Sequence, residues 1–270
     1  MDAIPIYQVD AFAERPFEGN PAAVCFPPVG VGDAWLQRVA AEMNLSETAF
    51  LWREGDRGWG LRWLTPATEV DLCGHATLAS AHVIWETDRA DGDLTFHTRS
   101  GALIARRVDG GIELDFPATP PEPTDAPPGL LEALGLDASQ VSSVQKTRFD
   151  YLVVLEDEAA VRAVRPTMRA LAAIDVRGAM VTAPGDGEPD FVSRFFAPGA
   201  GVDEDPVTGS AHCALTPYWA DALGRTTLRA HQASARGGDL EVALDGDRVR
   251  LRGRAVTVLE GTLRAPPNLA

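Results

Sequence analysis

Residues Arg62 to Glu86 recur later in the chain, and this repeat constrains the fold more than any other feature. The first copy reads RWLTPATEVDLCGHATLASAHVIWE; from Arg194 the chain reads RFFAPGAGVDEDPVTGSAHCALTPYWA. At an ungapped spacing of 132, Arg62 falls on Arg194, Trp63 on Phe195, Pro66 on Pro198, Val70 on Val202, Asp71 on Asp203, Cys73 on Asp205 and Ala79 on Ala211. In each copy an arginine-aromatic strand meets a proline, turns through a short loop and enters an uncharged run of small residues. A repeat this long is no solenoid unit and predicts two similar domains.

Leu72 to Trp85 and Pro206 to Ala220 contain no Asp, Glu, Lys or Arg. A helix apolar all round belongs inside a core, and both runs fall short of the ~20 residues of a membrane span. Each loop therefore feeds the N-terminus of a buried helix, whose unpaired N–H groups suit a carboxylate or phosphate. Core packing alone would explain the small residues. It does not explain why polar residues gather at the helix entrances: His75 and Thr77 in one, Asp205, Thr208 and Ser210 in the other.

The chain has 270 residues, enough for two medium domains, and a net charge of −15. That charge argues against nucleic acid or an anionic membrane as partner. Three scattered cysteines, Cys25, Cys73 and Cys213, form neither a disulfide framework nor a zinc motif, so no metal is expected. The first residues lack an apolar signal segment, and the expectation is a reduced, cytosolic protein.

Along the chain, Gln8–Ala13 and Ala22–Phe26 read as strands around a Gly-Asn-Pro turn. Residues 33–44 read as an amphipathic helix with Asp33 as N-cap. Thr48–Trp52, Leu61–Leu64, Leu94–Thr98 and Leu103–Phe116 read as strands, the last broken by a turn at Asp109-Gly110-Gly111. The proline-rich segment 117–129 reads as a linker. Beyond it the order replays: a strand at Tyr151–Leu155, a helix in two pieces divided at Pro166, strands at Met180–Thr182 and Phe191–Phe196, then a buried helix from about Gly209 that Pro217 should kink or shorten. The expected fold class is α+β: two pseudo-symmetric domains, each a curled mixed sheet around a central buried helix. The boundaries are 1–117 and 118–261, with 262–270 as a segment that could rejoin the first domain.

Glu47 is a carboxylate followed at once by apolar residues, a setting for acid/base work, although a loop-anchoring glutamate would look the same. Cys73 and Asp205 fall at equivalent helix entrances in the ungapped alignment. If the two entrances converge, they flank a small substrate. Taken singly, Cys73 reads as a buried thiol and Asp205 as an N-cap. His75 stands beside Gly74 at its helix entrance. His82 is seven residues on, ~10 Å along a helix, too far to share a metal ion with it. His82, His97, His212 and His231 read as structural. No nucleotide loop is present.

Four stretches, VDAFAERPFEGNPAAV, LSETAFL, RWLTPATEVDLCGHATLA and GVDEDPVTGSAHCAL, resemble in order and spacing the signatures of the phenazine-biosynthesis (PhzF-like) isomerase family. The resemblance implies the diaminopimelate epimerase fold, with a site between two similar domains. It implies Glu47 as the catalytic glutamate, with His75 and Asp205 acting beside it. Asn20, Cys73, Gly74, Gly209 and Ser210 would line the substrate pocket. It further implies no cofactor, a small carboxylate substrate and a homodimer. Cys73 stands where the epimerases carry one of two catalytic thiols. Asp205 is read as taking the second position, since Cys213 comes eight residues too late. The expectation is therefore a glutamate-based proton-transfer isomerase. The rivals are an amino-acid epimerase using Cys73 with an unlike partner, and a small-ligand binding protein without catalysis.

Overall fold

A computed structural model describes residues 3–264. The chain divides into two compact units. One comprises the described residues up to Asp115 and from Arg252 on; the other is Phe116–Leu251.

The first unit opens with β1 (Ile4–Ala11), antiparallel to β2 (Asn20–Cys25), with Ala11 opposite Asn20. The link between them turns at Gly19, φ +64°, where a Cβ would lie 2.2 Å from the Ala11 carbonyl oxygen; only glycine fits. Helix α1 (Asp33–Met43) buries Trp35, Leu36, Val39 and Ala40, the stripe that helical periodicity puts on one face. The N-cap is Gly32, not Asp33. Asp33 is instead the first helical residue, and its carboxylate accepts from Arg62 Nη1 at 2.6 Å. Strand β3 (Glu47–Arg53) lies parallel to β2, with Ala22 opposite Glu47. Strand β4 (Trp59–Leu64) returns antiparallel to β3, and β5 (Glu69–Val70) folds back on β4. Helix α2 (Gly74–Glu86) is buried except at His82 and Glu86 and packs against β1, β2 and β3. Its hydroxyls stay satisfied inside the core: Thr77 Oγ1 donates to the Cys73 carbonyl and Ser80 Oγ to that of Ala76. Strand β6 (Leu94–Thr98) runs parallel to β4, β7 (Gly101–Val108) antiparallel to β6, and β8 (Gly111–Pro117) antiparallel to β7.

The second unit replays these relations. The proline-rich stretch is not a free linker. It contributes β9 (Glu122–Pro123), antiparallel to β10 (Val141–Lys146) beyond the short α3 (Leu130–Leu134). Strand β11 (Asp150–Leu155) is antiparallel to β10. Two short helices, α4 (Glu158–Ala163) and α5 (Met168–Leu171), are divided around Pro166. Strand β12 (Gly178–Pro184) is parallel to β11, and β13 (Phe191–Ala197) is antiparallel to β12. Strand β14 (Val202–Asp205) folds back on β13 as β5 does on β4. Helix α6 (Gly209–Leu223) is the central buried helix. Strand β15 (Thr227–Gln232) is parallel to β13, followed by β16 (Gly238–Asp245) and β17 (Arg248–Gly253).

Pro217 does not shorten α6, which runs on to Leu223. A proline inside a helix leaves the carbonyl four residues back without its donor. That carbonyl belongs to Cys213, and the Thr119 N–H, from the proline-rich stretch, donates to it at 2.9 Å. A second bond from outside the helix thus replaces the missing one.

The chain then returns to the first unit as β18 (Ala255–Leu263), antiparallel to β1 with Ile6 opposite Gly261. Of the segment 262–270 expected to rejoin that domain, residues 265–270 lie outside the described residues. Among the described residues no helix is long and apolar enough to cross a membrane.

Candidate active site

Parallel pairing of β2 and β3 starts both strands at one end of the first unit, and α2 begins there too. Asn20 is the first residue of β2, Glu47 the first of β3, and Cys73 the N-cap of α2. These elements converge on His75, in the first turn of α2. Glu47 Oε2 lies 3.1 Å from His75 Nε2. The Asn20 side-chain amide meets His75 Nδ1 at 3.2 Å. Cys73 Sγ stands 3.6 Å from Nδ1 and 3.9 Å from Nε2. Of the expected residues, the first unit therefore gathers Asn20, Glu47, Cys73, Gly74 and His75 into one cluster.

The electrostatics of the cluster follow from burial and facing charges. Burial works against a charge on His75, but the Cys73 and Glu47 side chains that face the ring outweigh it. The imidazole is held well above the usual histidine range. Burial, and then the Glu47 charge, push the Cys73 thiol up to about 11, so it is a neutral thiol at neutral pH. Asn20 Nδ2 faces Nδ1 at 3.2 Å and donates to it when that nitrogen is unprotonated; a doubly protonated ring requires the amide turned over so that its oxygen accepts. Glu47 Oε2 is screened from solvent, and its approach to Nε2 is too oblique to count as a hydrogen bond. It remains a close, unsatisfied acceptor.

Glu47, Cys73 and His75 offer three ligand atoms within 4.8 Å of one another. The sulfur stands 3.6 Å from Nδ1 and 3.9 Å from Nε2, whereas Glu47 faces Nε2.

The second unit corrects the sequence alignment. Arg62 holds Glu69 through both carboxylate oxygens, at 2.8 and 2.6 Å, and Arg194 holds Glu204 at 2.7 and 3.0 Å. The arginines are 132 apart but the glutamates 135, because the stretch from arginine to glutamate is three residues longer in the second copy, where the pairing of β13 with β14 shifts register between Phe195 and Ala197. Beyond that stretch, Cys73 corresponds to Thr208, the N-cap of α6, and not to Asp205. Asp205 pairs with Phe195 as Val70 pairs with Trp63. Thr77 corresponds to His212, and each side chain donates back to its N-cap carbonyl. The idea that Asp205 replaces an epimerase thiol therefore fails, since Thr208 holds that place.

Asp205 Oδ2 accepts from Thr208 Oγ1 at 2.6 Å. Ser210 Oγ accepts from Arg177 Nη2 at 3.2 Å, and Arg177 is itself paired with the buried Asp150. Gly209 opens α6, and neither Thr208 nor Cys73 caps its helix through its side chain. Sequence reasoning missed Gln232, Arg177 and Asp150, which stand at strand ends and in a loop, outside any motif. The other histidines have structural partners: His82 contacts Thr257 and Glu86, and His231 pairs with Asp239. His97 stands in β6 opposite Ala102. His212 is fully buried, and burial pulls it down to about 4.

Residues 9–261 match the phenazine biosynthesis-like protein family. The chain belongs to that family. It is 51% identical to an uncharacterized isomerase from Halalkalibacterium halodurans, over 97% of this chain and 99% of that protein. A crystal structure of a family protein from Enterococcus faecalis superposes with a TM-score of 0.92 at 43% identity, covering 98% of this chain and 100% of that one. A predicted epimerase from Pseudomonas aeruginosa shares the fold, with a TM-score of 0.74 at 23% identity over 97% of this chain and 99% of the other. This member of the phenazine biosynthesis-like family is an isomerase.

Proposed function

We propose that the protein moves a proton between carbons of a small carboxylate substrate by side-chain acid/base catalysis, with Glu47 as the base. The observation that carries this reading is the position of Glu47 Oε2, screened from water and without a hydrogen bond, 3.1 Å from His75. Glu47 takes a proton from a substrate C–H. The electron pair of that bond passes into the substrate's conjugated system, and the proton returns to a different carbon. The charged His75 keeps a negative site from accumulating around the reacting carbanion. Asn20 fixes the ring, and Cys73 presents a neutral thiol beside it. The uncapped N–H groups opening α2 suit the substrate's carboxylate. A positioned general base contributes ~10²–10⁴ in rate. Asp205 is proposed to serve the same turnover. No cofactor enters this scheme, and a cytosolic location accords with reduced thiols.

A second reading rests on Cys73 Sγ lying 3.6 Å from His75 Nδ1: an epimerase in which the thiol exchanges the proton. The test of the first reading is a panel of small cyclic and amino-acid carboxylates in heavy water, read as deuterium at carbon. The wild type should label at least one, and Glu47→Gln should slow labelling by ~100-fold or more while keeping its melting temperature. Equal labelling in both proteins would make Glu47 a structural anchor.

A further inference from the structure

Thr208 holds the N-cap of α6, where a threonine hydroxyl ordinarily accepts from a first-turn N–H. It makes no such bond. Its Oγ1 donates to Asp205 Oδ2 at 2.6 Å and accepts from Gln232 Nε2 at 3.1 Å. Gln232 is fully buried at the end of β15. Its amide is oriented at both ends: Oε1 accepts the Thr208 N–H at 2.8 Å, and Nε2 also donates to the Asp205 carbonyl at 2.7 Å. Turning the amide over would set donor against donor and acceptor against acceptor. An NH₂ group can only donate. Thr208 Oγ1 must therefore accept from it, and the single hydroxyl proton is left for Asp205. The next carbonyl of the loop, Pro206, is held by Ser234 Oγ at 2.9 Å, so the segment entering α6 is fixed at several points.

We infer that Thr208 and Gln232 are positioning residues for Asp205. Together they fix its side-chain orientation and hold Oδ2 as a hydrogen-bond acceptor. A helix cap forgone in favour of a carboxylate is a local stability option given up, and such departures concentrate at functional sites. The inference rests on the proposed function, in which Asp205 serves turnover.

The test compares Asp205→Asn, Thr208→Val, Thr208→Ser and Gln232→Glu in the deuterium-incorporation assay described above. Thr208→Val removes the hydroxyl and no cap. It should lower kcat by ~10-fold or more, with KM and melting temperature little changed. Thr208→Ser keeps the hydroxyl and should restore kcat to within ~3-fold of wild type. Gln232→Glu puts an acceptor where the NH₂ stood, draws the hydroxyl proton away from Asp205, and should match Thr208→Val. The double variant should lose no more than either single one. A substrate-free readout is the ¹³C resonance of the Asp205 carboxyl carbon, which should move in Thr208→Val and Gln232→Glu and stay in Thr208→Ser. If Asp205→Asn is impaired while Thr208→Val turns over like wild type with an unmoved resonance, the inference falls and the functional reading stands. If Asp205→Asn is fully active, that reading of Asp205 falls, and the inference with it.

Discussion

His75 Nε2 and Glu47 Oε2 stand 3.1 Å apart with both side chains largely screened from water, although they come from positions 28 residues apart in the chain. Burial alone would keep the imidazole neutral. The facing Cys73 and Glu47 side chains together favour the charged form, and Glu47 is one of the two contributors. Glu47→Gln keeps the shape and removes the charge, so His75 should titrate at a lower pH in the variant than in the wild type. The check is the His75 ring-proton resonance followed against pH by NMR. An unmoved titration would show that the two groups are electrostatically independent.

Cys73 should be an unreactive thiol despite its place in the cluster. With its proton affinity pushed up to about 11, only about one thiol in a thousand is ionised at pH 8. Iodoacetamide should label Cys73 far more slowly than it labels a free thiol. Cys73→Ser preserves a neutral donor beside His75 and should keep turnover within ~3-fold of wild type. A ~100-fold loss in a folded Cys73→Ser would favour the thiol-based epimerase reading instead.

His212 should make the protein sensitive to acid. Its folded-state affinity is depressed from 6.5 to about 4 by burial. Between those values the unfolded chain binds a proton that the folded chain does not, so stability falls as the pH falls through that window. The loss is about 2 kcal/mol by pH 5. His75 has the opposite sign. Its affinity is raised, so its contribution is full below the ordinary histidine range and declines as the pH rises through its folded value. His212→Phe sheds a buried ring nitrogen that has no partner and leaves the Thr208 carbonyl its backbone donor. Urea midpoints at pH 7 and pH 5 should differ less in the variant than in the wild type. Parallel curves would locate the acid sensitivity elsewhere.

The repeat and the two uncharged segments made the fold class legible, because burial on all sides forbids charge and the pattern of strand, loop and helix survives in both copies. The unit-one cluster was legible only in part: His75 stood out at its helix entrance, whereas the roles of Glu47 and Asn20 came from the family resemblance, because a carboxylate at a strand start reads equally as a loop anchor. The exact equivalence between the two copies was not legible. Three extra residues between Arg194 and Glu204 shift the register by less than one helical turn, too little to disturb a match carried mostly by small residues. The Arg62–Glu69 and Arg194–Glu204 pairs reveal the shift only once their partners are known. Gln232 was invisible for another reason. A polar residue ending a strand looks like solvent exposure, and its full burial depends on the loop it holds.

Those two arginine–glutamate pairs predict unequal costs when the glutamate is neutralised. Arg62 binds Glu69 but also reaches Asp33 at 2.6 Å, and Glu69 in turn meets Arg99 at 3.0 Å. Removing the Glu69 charge leaves Arg62 with a second carboxylate on the exposed side, where solvent screens it. Glu69→Gln should therefore cost only about 1 kcal/mol. Arg194 is buried, and besides Glu204 it meets the Val161 and Val164 carbonyls at the end of α4 and the face of the Phe196 ring, 4.8 Å from its guanidinium carbon. Those carbonyls supply hydrogen bonds but no counter-charge. Glu204→Gln would leave a buried guanidinium uncompensated, a change that costs ~3–5 kcal/mol when a buried pair is broken. The part-exposed Glu204 side chain lets some water in, which places the expectation at or below the lower end of that range. Urea unfolding of the two variants side by side measures the difference. Equal midpoints would mean that the Val161 and Val164 carbonyls, rather than Glu204, hold Arg194 in place.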